Sequence, residues 1–198
     1  TSDAFFAAEA ERTAKLCHEM AERFARDGRL VALGRSPSAR SDARHVAVEF
    51  VHPVIVGKRA LPALGLAGEG GPLPRQAELA LRAEDVVIAF EAVEDETGET
   101  GEALDVARAR GCLTIAYGAA GADRDFEIVT GDPFVRQEIV ETHYHVLWEL
   151  VHVFFEHRGL LEGRQARRVH DPGEARFLYP FLGEAEEDLD GVLEDVGR

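Results

Sequence analysis

Cysteine is scarce in this chain of 198 residues, with Cys17 and Cys112 the two present. Two thiols cannot build a disulfide framework, and they suit a reducing compartment. Basic charge is also short: 22 Lys plus Arg stand against 37 Asp plus Glu, a formal net charge of −15. That balance argues against direct binding to nucleic acid or to an anionic membrane, since both polyanions would be repelled. It also makes any anionic substrate depend on a locally favourable site. No apolar run approaches the roughly 18–20 residues of a membrane span. The first residues, Thr1-Ser2-Asp3-Ala4-Phe5-Phe6, lack the basic-then-apolar order of a secretion signal. A soluble cytoplasmic protein is the expectation. What is present suits a folded chain: 45% hydrophobic and 30% charged residues exclude wholesale disorder, and the length fits one domain.

Hydrophobic spacing divides the chain into alternating strands and helices. Phe5, Phe6, Ala10, Thr13, Leu16, Met20 and Phe24 recur at helical steps, which predicts a helix over residues 3–27 stopped by Gly28. Leu30-Val31-Ala32-Leu33 reads as a buried strand ending at Gly34. A hydroxyl-rich loop follows, then a helix over about 41–51 with Ser41 or Asp42 as its N-cap. The unit recurs at Asp85-Val86-Val87-Ile88-Ala89-Phe90, followed by a polar stretch and a helix over about 101–110. It recurs again at Cys112-Leu113-Thr114-Ile115-Ala116-Tyr117, followed by a Gly/Ala loop and Phe126-Glu127-Ile128-Val129. Residues 61–66 form another short strand candidate, weakened by Pro62 and Gly65. The longest helix is expected over 133–157, apolar on several faces as for a helix buried between subunits as well as against its own sheet. Strands alternating with helices indicate an α/β domain built on a parallel sheet. The domain reading is 1–157 for this unit with its N-terminal helical arm, and 158–198 for a partly acidic C-terminal extension.

Four segments carry residues capable of chemistry. Ser36, Ser38 and Ser41 lie after Gly34 at a helix start, where hydroxyls, free N–H groups and the helix dipole can cradle a phosphate. Arg35 and Arg40 would offset the global negative charge there; an ordinary capped loop is the competing reading. His45 and Glu49 share a helix face, suited to a divalent metal or to a base and its orienter, although many such pairs are surface contacts. His52 continues that face. Gln137, Glu141, His145 and Glu149 follow at four-residue steps, with His152 seven beyond His145. Polar groups along an otherwise apolar helix need partners. His143 and His157 fall off the stripe as surface or satisfied histidines, and Tyr144, Leu147, Trp148 and Val151 read as core. Finally, Thr97, Thr100 and nearby glycines resemble a second anion cradle, but Glu91, Glu94, Asp95, Glu96 and Glu99 favour a solvated acidic loop.

Together these segments resemble the sugar isomerase (SIS) domain family, most closely its phosphoheptose isomerase (sedoheptulose 7-phosphate isomerase) branch, over about residues 5–157. The stretch Gly34-Arg35-Ser36-Pro37-Ser38-Ala39-Arg40-Ser41-Asp42-Ala43-Arg44-His45-Val46-Ala47-Val48-Glu49 is similar to the family's Gly-Asn-Gly-Gly-Ser loop running into Asp-Ala-x-His-x-x-x-Glu. Arg59-Ala60-Leu61-Pro62-Ala63 looks like the strand that follows. Gln137-Glu138 with His145 is similar to the family's Gln-Glu pair and a His eight residues after the Gln. The resemblance implies a doubly wound α/β fold and a homotetramer with sites at subunit contacts. It implies a zinc or other divalent metal site at His45, Glu49, Gln137 and His145, with Glu49 and His145 as the catalytic acid–base pair. It also implies substrate phosphate held by Ser38, Thr97 and Thr100, to which the reading of the first loop adds Ser36.

Departures from the family pattern bear on function. The first loop carries Arg35-Ser36-Pro37 in place of Asn-Gly-Gly, with one extra residue before Asp42. The second family loop, Ser-Thr-Ser-Gly-x-Ser, is replaced by the acidic stretch ending in Thr97-Gly98-Glu99-Thr100, and the segment between Phe50 and Asp85 is short. Three functions therefore compete. The first is a metal-assisted aldose–ketose isomerase of a sugar phosphate. The second is a catalytically inactive SIS-fold protein that binds phosphosugar or another protein. The third is metal-dependent chemistry on an unphosphorylated or cationic substrate, to which the acidic loop would be an adaptation.

Overall fold

The computed structural model describes residues 2–156 apart from 54, 56, 57, 92, 93 and 119; His157 and the C-terminal extension fall outside these. The elements run α1 (Ser2–Ala25), β1 (Leu30–Leu33), α2 (Pro37–Val51), β2 (Ala63–Leu66) and α3 (Leu73–Ala80). They continue β3 (Val86–Ala89), α4 (Glu99–Ala109), β4 (Leu113–Tyr117), β5 (Arg124–Phe126) and α5 (Pro133–Glu156). Five strands form one sheet in the order β2-β1-β3-β4-β5, and every pairing is parallel.

Strand periodicity assigns the side chains to two layers. Leu30 and Ala32, Val86 and Ile88, and Leu113, Ile115 and Tyr117 enter a core shared with α1, α2 and α5. Val31 and Leu33, Val87 and Ala89, and Ala116 enter a second core with α3 and α4. Burial on both faces explains why these strands read as continuous apolar runs without polar alternation. Helix α1 packs along α5 on one side, and α3 packs on α4 on the other. The doubly wound α/β architecture expected from the sequence is the one observed.

Local chemistry explains where the expected boundaries moved. Helix α2 begins at Pro37, four residues before the expected start, because Ser36 takes the N-cap and accepts from the Ala39 N–H at 3.1 Å. Proline at the first helical position gives up no hydrogen bond. Asp42 is thus inside the helix and buried. Gly34 permits this early start: a Cβ there would lie 2.2 Å from the Ala39 carbonyl oxygen. Helix α3 has no counterpart in the sequence reading, since its short apolar stripe, Leu73 and Ala77, sits among prolines. Strand β5 lies slightly ahead of the expected Phe126–Val129 run.

The sheet order reverses between β1 and β3, its first strand having neighbours reached in opposite directions. Ligands of open α/β sheets bind beyond the carboxyl ends of the strands at such a point. Here that crevice is bounded by the β1–α2 loop, carrying Ser36, and by the β3–α4 loop, which begins at Glu91.

Candidate active site

Two helices bring three of the expected ligands together. His45 and Glu49 stand one turn apart on α2, with His45 Nε2 3.4 Å from Glu49 Oε1. His145 comes from the middle of α5, its ring centroid 5.1 Å from that of His45. One donor atom from each of His45, Glu49 and His145 lies within 4.8 Å of the others. Nitrogen and oxygen ligands about 2.1 Å from zinc would lie about 3.5 Å apart, so modest side-chain rotation closes the set. The donor chemistry fits as well. His145 Nδ1 lies 2.8 Å from the Glu141 backbone carbonyl, which leaves Nε2 as the lone pair available to a metal or a proton.

A buried group of polar side chains backs the triad. Tyr144, fully buried, places its hydroxyl 3.0 Å from His45 Nδ1 and 3.5 Å from Asp42 Oδ1. Gln137, the fourth expected ligand, turns its amide nitrogen to both Asp42 oxygens at 2.9 and 3.0 Å; a metal would require its other terminus, the amide oxygen. Burial raises the Asp42 carboxyl above its usual range, the bond from Gln137 opposes that shift, and the carboxylates of Glu141 and Glu91 add to it. Burial and the nearby Asp42 likewise push the Tyr144 phenol upward. The Glu141 carboxylate sits 3.7 Å from His45 Nδ1, so the surroundings of His45 are negative and favour a cation.

The rest of the α5 stripe serves packing. His152 is buried, with ring nitrogens 2.7 Å from the Trp148 carbonyl and 2.8 Å from that of Arg59. Glu149 lies 3.6 Å from Lys58, and His52 closes the end of α2. His143 is fully buried between Thr13 and Tyr117, a satisfied histidine and not a surface one.

The four expected phosphate-binding hydroxyls fall into two pairs, each holding a carboxylate. Ser36 and Ser38 both donate to Glu91, Ser38 at 2.7 Å. Thr97 and Thr100 donate to Asp95 at 2.6 and 2.7 Å. Thr100 is fully buried, so its hydroxyl belongs to the framework of the loop.

Comparison with known proteins bears on this arrangement. No family model matches the chain. It is 30% identical over 135 residues to a phosphoheptose isomerase of Desulfovibrio desulfuricans, covering 62% of this chain and 63% of that protein. It is 31% identical over 123 residues to a phosphoheptose isomerase of Pelobacter propionicus, covering 56% and 63%. The chain is thus similar in sequence to phosphoheptose isomerases over the aligned region. Two solved phosphoheptose isomerases show the same fold. That of Francisella tularensis has a TM-score of 0.65 and 15% identity over 77% of this chain and 91% of that one. That of Neisseria gonorrhoeae has a TM-score of 0.60 and 18% identity over 72% and 86%. The SIS-type α/β fold expected from the sequence is therefore borne out, while the aligned region spans 63% of the length of each curated relative.

The sequence reads Tyr144 as core and Asp42 as a cap, whereas Ser36 caps the helix and Asp42 and Tyr144 meet beside His45 through a tertiary contact. In sequence Glu91 is one solvated acid among five; its positive φ of 51° turns it back onto the serines.

Proposed function

We propose that the chain is an aldose–ketose isomerase of a sugar phosphate, assisted by a divalent metal, with zinc the expected ion. The observation that carries the reading is the convergence of His45 and Glu49 from α2 with His145 from α5. Isomerisation moves a proton from C2 of the aldose to C1 and a second proton between the two oxygens. Glu49 is suited to the carbon-bound proton and His145 Nε2 to the oxygen-bound one. A metal held by His45, Glu49, His145 and the Gln137 amide oxygen would supply a Lewis acid for the carbonyl. Ser38 precedes His45 by about 10 Å of helix axis, the reach of an open-chain sugar phosphate from carbonyl to phosphate. The curated relatives bear the name of such an isomerase.

Self-association into a homotetramer belongs to the same proposal. Its support is the apolar exposure beside the site, at Val48 and Val51 on α2 and at Phe134 on α5. No helix among the described residues is long and apolar enough to cross a membrane; a cytoplasmic location remains part of the proposal. A second reading, a non-catalytic protein that binds phosphosugars or other proteins, draws on the carboxylates held by the serine and threonine hydroxyls.

A coupled assay with sedoheptulose 7-phosphate and other ketose phosphates, with zinc supplied, tests the proposal. Turnover by the wild type, lost in Glu49→Gln and His145→Gln, supports it. Absence of turnover on every sugar phosphate, in zinc-loaded protein, leaves the binding role.

A further inference from the structure

We propose that Glu91 is a built-in occupant of the anion cradle at the start of α2, so that a substrate's phosphate binds there only by displacing this carboxylate. The inference rests on the sugar-phosphate reading above and names the residue that sets its phosphate affinity.

The position of Glu91 follows from the fold. It stands two residues beyond β3, in the crevice where the sheet order reverses. Its φ of 51° is a left-handed conformation that glutamate seldom adopts. The turn is fastened from behind, since the Asp95 N–H donates to the Glu91 carbonyl at 3.0 Å. The side chain accordingly returns across the crevice to the β1–α2 loop. There both Ser36 and Ser38 donate to its two oxygens, beside a helix N-terminus that favours negative charge. The cradle is thus holding an anion, and the anion is the chain's own.

Other described donors of the crevice are engaged in the same way. Thr97 and Thr100 give both hydroxyls and both backbone N–H groups to Asp95. Arg35 pairs with Glu99 at 3.5 Å, and Arg136 with Glu94 at 2.8 Å. An incoming phosphate must take Ser36 and Ser38 from Glu91 and then bear the displaced carboxylate nearby. An amide at position 91 carries no charge to compete, and glycine there removes the side chain while suiting the positive φ.

Inorganic phosphate is the probe, titrated into the whole chain by calorimetry or by phosphorus NMR. Glu91→Gln and Glu91→Gly should each bind phosphate about tenfold or more tightly than wild type. Glu78→Gln, which removes one negative charge on α3 outside the crevice, should bind as wild type does. Equal phosphate affinity in wild type and both Glu91 variants overturns the proposal, as does an equal gain in Glu78→Gln. Failure of the folded variants to bind phosphate at all also overturns it. Glycine at 91 guards against a folding artefact, with circular dichroism of each variant as the check. The isomerase reading is tested separately by turnover: it fails if no sugar phosphate reacts even when the Glu91 variants bind phosphate. The occupancy proposal fails alone if wild type turns over substrate and Glu91→Gln leaves its KM unchanged.

Discussion

His145 presents Nδ1 to the backbone carbonyl of Glu141, 2.8 Å away and one turn earlier in α5. A carbonyl oxygen only accepts, so the bond holds a proton on Nδ1 and keeps the lone pair on Nε2. The ring is thereby oriented by its own helix, while His45 and Glu49 approach from another. Neither helix contains a complete site.

That division predicts the behaviour of single substitutions. His45→Ala and His145→Ala should each weaken zinc binding by about tenfold or more, because each removes one of three converging donors. Competition against a chromophoric chelator, with metal content measured on the dialysed protein, checks the expectation. Wild-type zinc affinity in both variants would remove the metal site from the proposal.

Tyr144 offers a test of the groups behind the ligands. With a metal on His45 Nε2, the Nδ1 proton would go to the Tyr144 oxygen, and the Tyr144 proton to Asp42. Tyr144→Phe keeps the buried ring and deletes this connection, so zinc affinity should fall by about tenfold to a hundredfold. Stability should change by only about 1 kcal/mol. Chelator competition and thermal unfolding, run on the same preparations, separate the two effects. A large loss of stability with no change in affinity would make Tyr144 a packing residue alone.

The sequence made the alternation of strands and helices visible because a parallel sheet covered on both sides demands uninterrupted apolar runs, as in Val86-Val87-Ile88-Ala89. It also displayed His45 with Glu49, whose spacing is a property of one helix. The link of Tyr144 to His45 spans 99 residues and has no local periodicity to reveal it. Helix α3 is not legible for a related reason: eight residues with two buried positions carry too little pattern. The acidic loop was visible as charge, whereas the destination of each carboxylate depended on backbone conformation at Glu91 and on the early start of α2 at Ser36.

His143 predicts an acid-sensitive fold. Its nitrogens lie 3.0 Å from Thr13 Oγ1 and 3.1 Å from the Tyr117 hydroxyl, and its ring packs 4.4 Å from that of Phe126. Burial lowers its pKa from 6.5 to about 3. Between those values the unfolded chain holds a proton that the folded chain refuses, so stability falls as pH falls. The slope from this residue is about 1.4 kcal/mol per pH unit, flattening below about pH 3. Denaturant unfolding across this window should show the decline, and His143→Gln should remove one proton's worth of slope. An identical pH slope in the variant would contradict the burial argument.

Gly34 links the sheet to the proposed site through a close backbone approach. It ends β1, its N–H donates to the Leu66 carbonyl at 3.3 Å, and α2 doubles back over it. A Cβ on residue 34 would meet the Ala39 carbonyl oxygen at 2.2 Å and its carbon at 2.4 Å. These are backbone atoms of the first turn of α2, so they can yield only if the helix shifts. Gly34→Ala should therefore cost about 1–3 kcal/mol of stability. It should also displace Ser36 and Ser38 from Glu91, both of which depend on where α2 begins. Urea unfolding measures the first effect. The second appears as a change in phosphate affinity in the folded fraction, measured beside Glu91→Gln. A Gly34→Ala protein with wild-type stability would mean that α2 is not held to β1 by this contact.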